Sequence, residues 1–593
     1  MSPETSPFRL PKVTRTGWPE AFAEWLLGLK TMDSLYRSEV REKYHYREFL
    51  KVVLKIFQVN HTVSAGSLDS VPTTGSSVVV ANHPFGGIEG VALADLLLKA
   101  RPDVKVLTNE ILCRIEELQD LFIGVDVLSA NARKKNQKAI EEAQQWVADG
   151  HMLLIFPAGE VSSYSFPLKQ VTDPKWRNTA SRIARQTSAN ITPVFVEGRN
   201  GWFFHFLGII HPKLRTVRLI RELLNKRGST IGFRIGKSLT PNDYRSMESD
   251  SALTSYLRLH TYLLSAHDPE QKTHNETQPV GAGDVEPVAE EIAPEFLAAD
   301  VSALADECLL LEKNEMAVYC ASAEQLPNIL PQIGRLRELT FRGVGEGTGF
   351  PRDLDKYDEY YLHLFLWNRD KQEIVGAYRI GQVDRILREK GIHGIYSRSL
   401  FRYHADFIHR MGTCLEMGRS FIVPEYQRSL GSLMMLWKGI GAYVAANPWY
   451  RVLFGPVSIS SDYREISRQL MAGCLSVNNS DQVLQELVQP TTPMKRGRKQ
   501  FWNPADLRGV VDIEQLSLLV QQLEKDNKGI PVLLKQYLKL RGELAAFNVD
   551  PDFNNALDGL IIVDLMKVDE RTLNKYMGAA GAKAFMEYNR TAA

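Results

Sequence analysis

Ser77-Val-Val-Val-Ala-Asn-His-Pro-Phe-Gly-Gly-Ile-Glu89 decides how the first half of the chain is read. Val78–Val80 form an uninterrupted β-branched run, bounded by Gly75 before and by Gly86-Gly87 after, which predicts a buried strand feeding a tight turn. Asn82 and His83 stand at the strand's end, and a carboxylate, Glu89, comes six residues after His83. A histidine delivered by a rigid strand to a glycine-rich turn, with an acid placed to orient it, is how a general base is built. A buried histidine satisfied by backbone carbonyls is the plain alternative.

Around this stretch the pattern alternates. Residues 16 to 58 read as helical, with Trp18, Phe22, Trp25, Leu26 and Leu29 at helical spacing, an apolar stripe more often core than membrane contact. A helix is expected at Val91–Leu98, strands at Val104–Leu107 and Leu121–Val127, and a helix from Gln137 to Asp149. The apolar strand Met152–Phe156 breaks at Pro157 and Gly159; Trp176–Gln186 reads as a helix and Ile191–Glu197 as a strand. Strands alternating with helices, each ending in a polar turn, describe an α/β sheet with its chemistry at the strand ends. Trp202–Leu207, followed by Lys213, Arg215, Arg218 and Arg221, suits either a pocket wall or an anionic membrane surface.

The 593 residues carry 71 basic and 70 acidic side chains, a balance that argues against nucleic-acid binding through net positive field. Five cysteines, far apart and without Cys-x-x-Cys, fit a reduced, intracellular protein with neither a metal site nor a disulfide framework. No signal peptide is visible and no apolar run reaches the roughly 18–20 residues of a spanning helix, so a soluble or peripheral protein is expected. From His267 to about Ala298 the composition turns acidic with Gly and Pro, which divides the chain into a domain at 1–264, a flexible acidic linker at 265–300 and a different domain at 301–593. There, helices are expected at Ala303–Leu311 and Leu336–Arg342, strands at Tyr361–Trp367, Glu373–Arg379 and Leu415–Val423, then a turn and a helix, Leu433–Ala446. Ile530–Leu540 reads as a helix and Leu560–Asp564 as a last strand, and the basic cluster Lys495–Lys499 reads as a solvated loop.

Asn82-His83, Phe156-Pro-Ala-Gly-Glu160 and Thr192-Pro-Val194, in that order and spacing, resemble the blocks of the glycerolipid acyltransferase superfamily. The variant Asn-His-Pro-Phe-Gly-Gly-x-Glu-Gly is similar to the branch holding the O-acyltransferases of ornithine-lipid synthesis and haemolysin-labelled proteins. The resemblance, over roughly 55 to 240, implies that His83 takes the proton of an acceptor hydroxyl that attacks an acyl thioester, with Glu89 orienting the imidazole. It makes Arg133, Gly159 and Glu160 candidates for holding a substrate phosphate or carboxylate. Two departures stand out: the acid follows one place later than in the usual His-x4-Asp, leaving Glu160 or Asp95 as alternatives, and Ala158 replaces the usual glutamate.

In the second half a strand runs into Pro424-x-x-Gln-Arg-Ser-Leu-Gly431 and a helix, a layout suited to receiving a pantetheine phosphate on Arg428, Gly431 and the helix start. Asp355, Asp358, Arg379, Glu416 and Arg419 resemble the charged constellation of acyl-homoserine-lactone synthases and ornithine N-acyltransferases, both GNAT-like. The resemblance, over roughly 330 to 570, implies that Glu416 accepts a proton from an α-amine, that Asp355 and Asp358 receive a cationic side chain, and that Arg379 or Arg419 holds a carboxylate. A surface ion-pair network is the alternative.

Together the halves resemble the bifunctional ornithine-lipid synthases. The resemblance implies two α/β domains, a glycerolipid-acyltransferase-like sheet and a GNAT-like mixed domain. The second would join a 3-hydroxyacyl group to ornithine, and the first would esterify the hydroxyl of that lyso-aminolipid. It further implies acyl carrier protein, or coenzyme A, as the carrier of an acyl co-substrate, no bound cofactor, no metal and no nucleic acid. The expected place is cytoplasmic, peripheral on the inner face of the membrane. Rival readings are the same chemistry on glycine, a 1-acylglycerol-3-phosphate acyltransferase with an inactive C-terminal half, and a non-enzymatic membrane-active protein.

Overall fold

The computed structural model describes residues 28–39, 44–126, 132–266, 285–428, 430–495, 497, 501–502, 504–508 and 512–591. Trp18, Phe22, Trp25 and Leu26 of the expected N-terminal stripe, and most of the basic cluster at 495–499, lie outside them. The chain forms two compact units, Met1–Glu270 with Lys499–Gln515, and Gln271–Arg498 with Leu516–Ala593. The second half is therefore not one uninterrupted domain from 301 to 593. Phe501 packs on the Tyr262 ring at 5.7 Å and Asp506 pairs with Arg258 at 3.0 Å, so a short return segment belongs to the first unit.

The strands of the first unit are β1 (Asn60–Ala65), β2 (Ser77–Ala81), β3 (Val104–Asn109), β4 (Phe122–Val125), β5 (Met152–Ile155), the small hairpin β6 (Ser163–Ser165) and β7 (Gln170–Thr172), β8 (Asn190–Val196) and β9 (Thr230–Ile235). Seven make one sheet in the order β1-β9-β8-β2-β5-β3-β4. From β8 to β4 all neighbours run parallel, and β9 is antiparallel to β8. Every residue of β2 is buried, as a β-branched run in a parallel sheet covered on both faces requires. The main helices are α1 (Leu29–Glu39), α2 (Tyr46–Ile56), α3 (Ile88–Ala100), α4 (Gln137–Ala148), α5 (Thr179–Thr187), α6 (Trp202–Ile210), α7 (Pro212–Leu224) and α8 (Asp250–Leu263). α5 starts later than the expected Trp176, whose indole is instead buried and donates to Asp173 at 2.8 Å.

The second unit holds β10 (Leu309–Lys313), β11 (Met316–Ser322), β12 (Leu362–Asn368), β13 (Glu373–Gln382), the short β14 (Phe401–Tyr403), β15 (Cys414–Ile422), β16 (Val452–Ile459), β17 (Val488–Pro490), β18 (Glu543–Asp550) and β19 (Ala556–Asp564). Eight form a sheet in the order β10-β11-β12-β13-β15-β16-β19-β18. Its helices include α9 (Pro294–Ala303), α10 (Ile329–Arg342), α11 (Leu430–Ala446) and α12 (Glu570–Thr591). Two expectations change here. Pro294–Asp300, taken as linker, is helical: Leu297 enters the core and Asp300 accepts from the N–H groups of Asn328 and Ile329. Leu309–Leu311, taken as helix, is strand, because an apolar run this short fits either element and here it pairs with β11 across the left-handed Asn314.

β15 and β16 are the one parallel pair of this sheet, and their register holds only for Cys414↔Val452, Leu415↔Leu453 and Glu416↔Phe454. Beyond Glu416 and Phe454 the paired register does not continue, although both strands run on. A Cβ on Gly455 would sit 2.0 Å from the Met417 carbonyl oxygen, so only glycine lets the backbones meet where the pairing ends. Gly455→Ala is expected to destabilise the protein by about 3 kcal/mol, read as a lowered denaturation midpoint, through overpacking.

Candidate functional site

In the first unit Asn82 ends β2 by clasping β8: its amide donates to the Val196 carbonyl at 3.0 Å and its carbonyl accepts from Val196 N–H at 2.6 Å. This fixes the next residue, His83. The His83 N–H donates to Asp173 at 3.2 Å, its carbonyl accepts from Ser162 N–H at 2.9 Å, and its ring packs on Phe156 at 4.6 Å. Its Nδ1 stands 3.0 Å from Glu89 Oε1. Glu89 is fully buried and accepts three backbone N–H groups, from Phe85 at 2.8 Å, Gly86 at 2.7 Å and Gly87 at 2.8 Å. The acid one place late thus reaches the imidazole because Gly86, at φ +92°, curls the turn around it; a side chain there would strike Leu219 and Val161 at 2.6 Å.

Neither alternative acid does this. Asp95 pairs with His61 at 2.9 Å, and Glu160 reaches Arg215 at 3.2 Å. Burial opposes ionisation of Glu89, but His83 and the Gly86 and Gly87 N–H groups outweigh it and lower its pKa to about 2. Burial likewise opposes protonation of His83, and the Glu89 charge overrides it, so the imidazole titrates above its usual 6.5. With Nδ1 held by the carboxylate, Nε2 is the nitrogen left for proton transfer.

His83 opens on a cavity of about 540 Å³ walled by apolar side chains, among them Leu35, Phe49, Val53, Leu112, Ile140 and Phe204. Gly159 and Glu160 line the same space. Arg133 lies in the short helix Ala132–Lys135, and its side chain is outside the described part. A second arginine, not singled out from sequence, is described at this cavity. Arg177 lines the cavity; its N–H is tied to the Pro157 carbonyl at 2.9 Å, and its guanidinium lies where a Cβ on Gly159 would be 3.4 Å away. Nothing in Trp176-Arg177-Asn178 itself signals this, because the contact depends on Gly159 at φ +64°.

In the second unit the expected charges do converge, but not as free groups. Asp358 is held by Arg337 at 2.7 Å and by Arg379 at 3.1 Å, and Asp355 by Arg379 at 2.7 Å and Arg419 at 3.6 Å. The two arginines hold the buried Asp358 carboxyl far below its usual range. Asp355 and Asp358, expected to receive a cationic side chain, are thus each paired with arginines. Arg379 and Arg419 lie over the Tyr396 ring at 4.9 and 5.1 Å, and Arg419, at φ +47° in a bulge of β15, also covers Phe553 at 4.6 Å.

Glu416 is 1% exposed, and its carboxylate accepts the Tyr361 hydroxyl and the N–H groups of Tyr396 at 3.0 Å and Ser397 at 2.7 Å. Three donors leave it one lone pair, and two of them fix the turn carrying Tyr396. Arg428 is exposed in the turn before α11 and Gly431 lies in that helix's first turn. Arg337, Tyr361 and Tyr396 were not singled out from sequence; the dense run Tyr357, Tyr360, Tyr361 was the available signal.

Residues 25–268 match the family described as "Acyltransferase", and residues 336–438 match "Acetyltransferase (GNAT) domain". Glycine N(alpha)-acyltransferase of Bacteroides thetaiotaomicron is 28% identical over 307 residues, 48% of this chain and 89% of that protein. Lyso-glycine lipid O-acyltransferase of Phocaeicola vulgatus is 29% identical over 199 residues, 32% of this chain and 68% of that one. L-ornithine N(alpha)-acyltransferase of Rhizobium meliloti is 26% identical over 237 residues, 39% of this chain and 72% of that one. The protein is a two-domain α/β acyltransferase, acyltransferase-like in its N-terminal part and GNAT-like in its C-terminal part.

The His83–Glu89 pair has a direct signature. By NMR the His83 imidazole is expected to titrate above 6.5, and in Glu89→Gln, where only the lesser charge of Asp173 still opposes burial, below 6.5. The pair's contribution to stability follows the same signs: Glu89's part is complete above about 4.5 and disappears as pH falls toward 2.

Proposed function

We propose that the chain makes an aminolipid by two acyl transfers, N-acylating ornithine with a 3-hydroxyacyl thioester in its C-terminal half and O-acylating the resulting hydroxyl in its N-terminal half. The observation that carries the reading is an imidazole–carboxylate pair opening on an apolar cavity, in a chain that also carries a GNAT domain. The names of the relatives agree in kind, covering N-acylation of an amino acid and O-acylation of its lyso-lipid. Glycine is the second reading, favoured by the Bacteroides and Phocaeicola relatives.

In the N-terminal half, His83 Nε2 takes the proton of the hydroxyl as its oxygen attacks the thioester carbonyl, and Glu89 stabilises the imidazolium. The proton then passes to the leaving thiolate. The apolar cavity takes an acyl chain, and Arg177 beside Gly159 holds the carboxylate that an N-acyl amino acid keeps. In the C-terminal half, Arg428, Gly431 and the start of α11 receive the pantetheine phosphate of an acyl carrier protein. Arg379 and Arg419 hold the amino acid's surroundings in place.

The protein works at the inner face of the cytoplasmic membrane. No helix among the described residues is long and apolar enough to cross a bilayer, but α6 presents Trp202, 78% exposed, with Phe206, Ile209 and Ile210. Arg218 lies 4.6 Å over the neighbouring Phe203 ring, a basic fringe suited to anionic headgroups.

In a host that lacks aminolipids, expression is expected to yield a diacylated amino-acid lipid whose headgroup mass separates ornithine from glycine. His83→Ala yields only the mono-acylated form. New phosphatidate instead, or an unchanged diacyl product in His83→Ala, contradicts the reading. With purified protein, Arg177→Ala is expected to raise KM for the lyso-lipid about tenfold with kcat nearly unchanged, the loss of one charged hydrogen bond.

A further inference from the structure

Arg258 and Tyr262 lie one turn apart on α8, and both are met by a piece of chain that sequence order assigns to the second half. The chain leaves the first unit at Glu270 and rejoins it over Lys499–Gln515. There Phe501 packs on the Tyr262 ring at 5.7 Å, and Asp506, in the short helix Pro504–Leu507, pairs with Arg258 Nη1 at 3.0 Å. Phe501, Trp502 and Leu507 are buried, so the returning segment is packed in place.

Arg258 and Tyr262 in turn hold Asp173. The Tyr262 hydroxyl oxygen accepts the Asp173 N–H at 2.7 Å, and Arg258 Nη2 donates to the Asp173 carbonyl at 3.3 Å and to the Thr172 hydroxyl at 2.9 Å. The Asp173 carboxylate accepts the Ser162 hydroxyl at 2.5 Å, the His83 N–H at 3.2 Å and the Trp176 indole N–H at 2.8 Å. Ser162 N–H then donates to the His83 carbonyl at 2.9 Å. Both backbone polar groups of His83 are thus fixed, one by Asp173 and the other by the residue that Asp173 holds.

This relay has no spare member. Asp173 is 3% exposed and Arg258 7%, and among the described residues Asp506 is the only acid ion-paired with that guanidinium. Arg258 also lines a cavity of about 880 Å³ together with Asp173, Trp176, Asp506 and Arg508, so packing alone does not set its position. A buried guanidinium that loses its carboxylate is left uncompensated, and its hydrogen bonds to Thr172 and Asp173 loosen with it. Asp173 acts on the base by charge as well: burial lowers the His83 titration, and Glu89 first, then Asp173, raise it.

We propose that Asp506, seated by Phe501, is a positioning residue for the N-terminal acyl transfer: through Arg258 it fixes Asp173, and through Asp173 the backbone that aims His83. The inference rests on the reading that His83 is the base of the O-acylation, and it makes that reaction depend on residues far beyond the linker. A base displaced by a fraction of an ångström takes its proton more slowly while the cavity still binds the lyso-lipid, so the loss falls on kcat and not on KM.

The test uses the full chain with a synthetic N-(3-hydroxyacyl) amino acid and an acyl-carrier-protein thioester. Ester formation is the readout, with amide formation on free ornithine or glycine measured separately. Asp506→Asn is expected to lower kcat for the ester about tenfold, with KM for the lyso-lipid and the rate of amide formation within about twofold of wild type. Asp506→Glu recovers most of the rate. In a chain carrying Asp173→Asn, adding Asp506→Asn costs less than about twofold more, because the effect travels through Asp173. By NMR, Asp173→Asn lowers the His83 midpoint, one of its two carboxylates being gone, and the double variant lowers it no further. Wild-type kcat in Asp506→Asn overturns the inference, and so does a full tenfold loss on top of Asp173→Asn. An equal fall in both activities, or an unfolded Asp506→Asn chain, overturns it too, by making Asp506 structural. A wild type that forms no ester refutes the proposed function instead.

Discussion

The first unit depends on how the Glu89 carboxylate is satisfied without water. It lies inside the turn that joins β2 to α3, where three backbone N–H groups point inward and would otherwise be unpaired. One charge meets all three and still faces His83. The same contact therefore holds the turn, stabilises the start of α3 and sets which imidazole nitrogen is left for the substrate. The Asn82 clasp on β8 and the Ser162 and Asp173 contacts fix the remaining freedom of His83. Positioning by backbone leaves little to side-chain mobility, which is what general-base chemistry at a cavity mouth needs.

The second unit handles buried charge differently. Arg337, Arg379 and Arg419 neutralise Asp353, Asp355 and Asp358 in one aromatic-lined network. Breaking one of these pairs strands its partner, so the network specifies geometry more than it adds stability. Glu416 is likewise engaged, holding the turn that brings Tyr396 under both guanidinium groups.

Much of this was legible in the sequence because it rests on local pattern. The Val78–Val80 run, the strand Met152–Ile155 and the strand–turn–helix from Cys414 to Ala446 announce themselves by period and punctuation. His83 and the short block at 156–160 were likewise visible. What was hidden depends on where the chain returns. The displaced acid reads as a departure until Gly86 is seen at positive φ. The pairing of Asp358 with Arg337 of α10 is likewise something spacing does not reveal. The return of Phe501 and Asp506 to the first unit has no local signature at all. Pro294–Ala303 was masked by its acidic flank, although its own residues form a regular helix with Leu297 inward.

The most direct test supplies a synthetic N-(3-hydroxyacyl) amino acid and an acyl donor to the purified protein with no free amino acid present. Ester formation is followed against pH for wild type and Glu89→Gln. The account predicts turnover by wild type that climbs to a plateau through an apparent pKa above 6.5, and at least ~100-fold slower turnover by the variant. Equal rates with the same pH midpoint would contradict it.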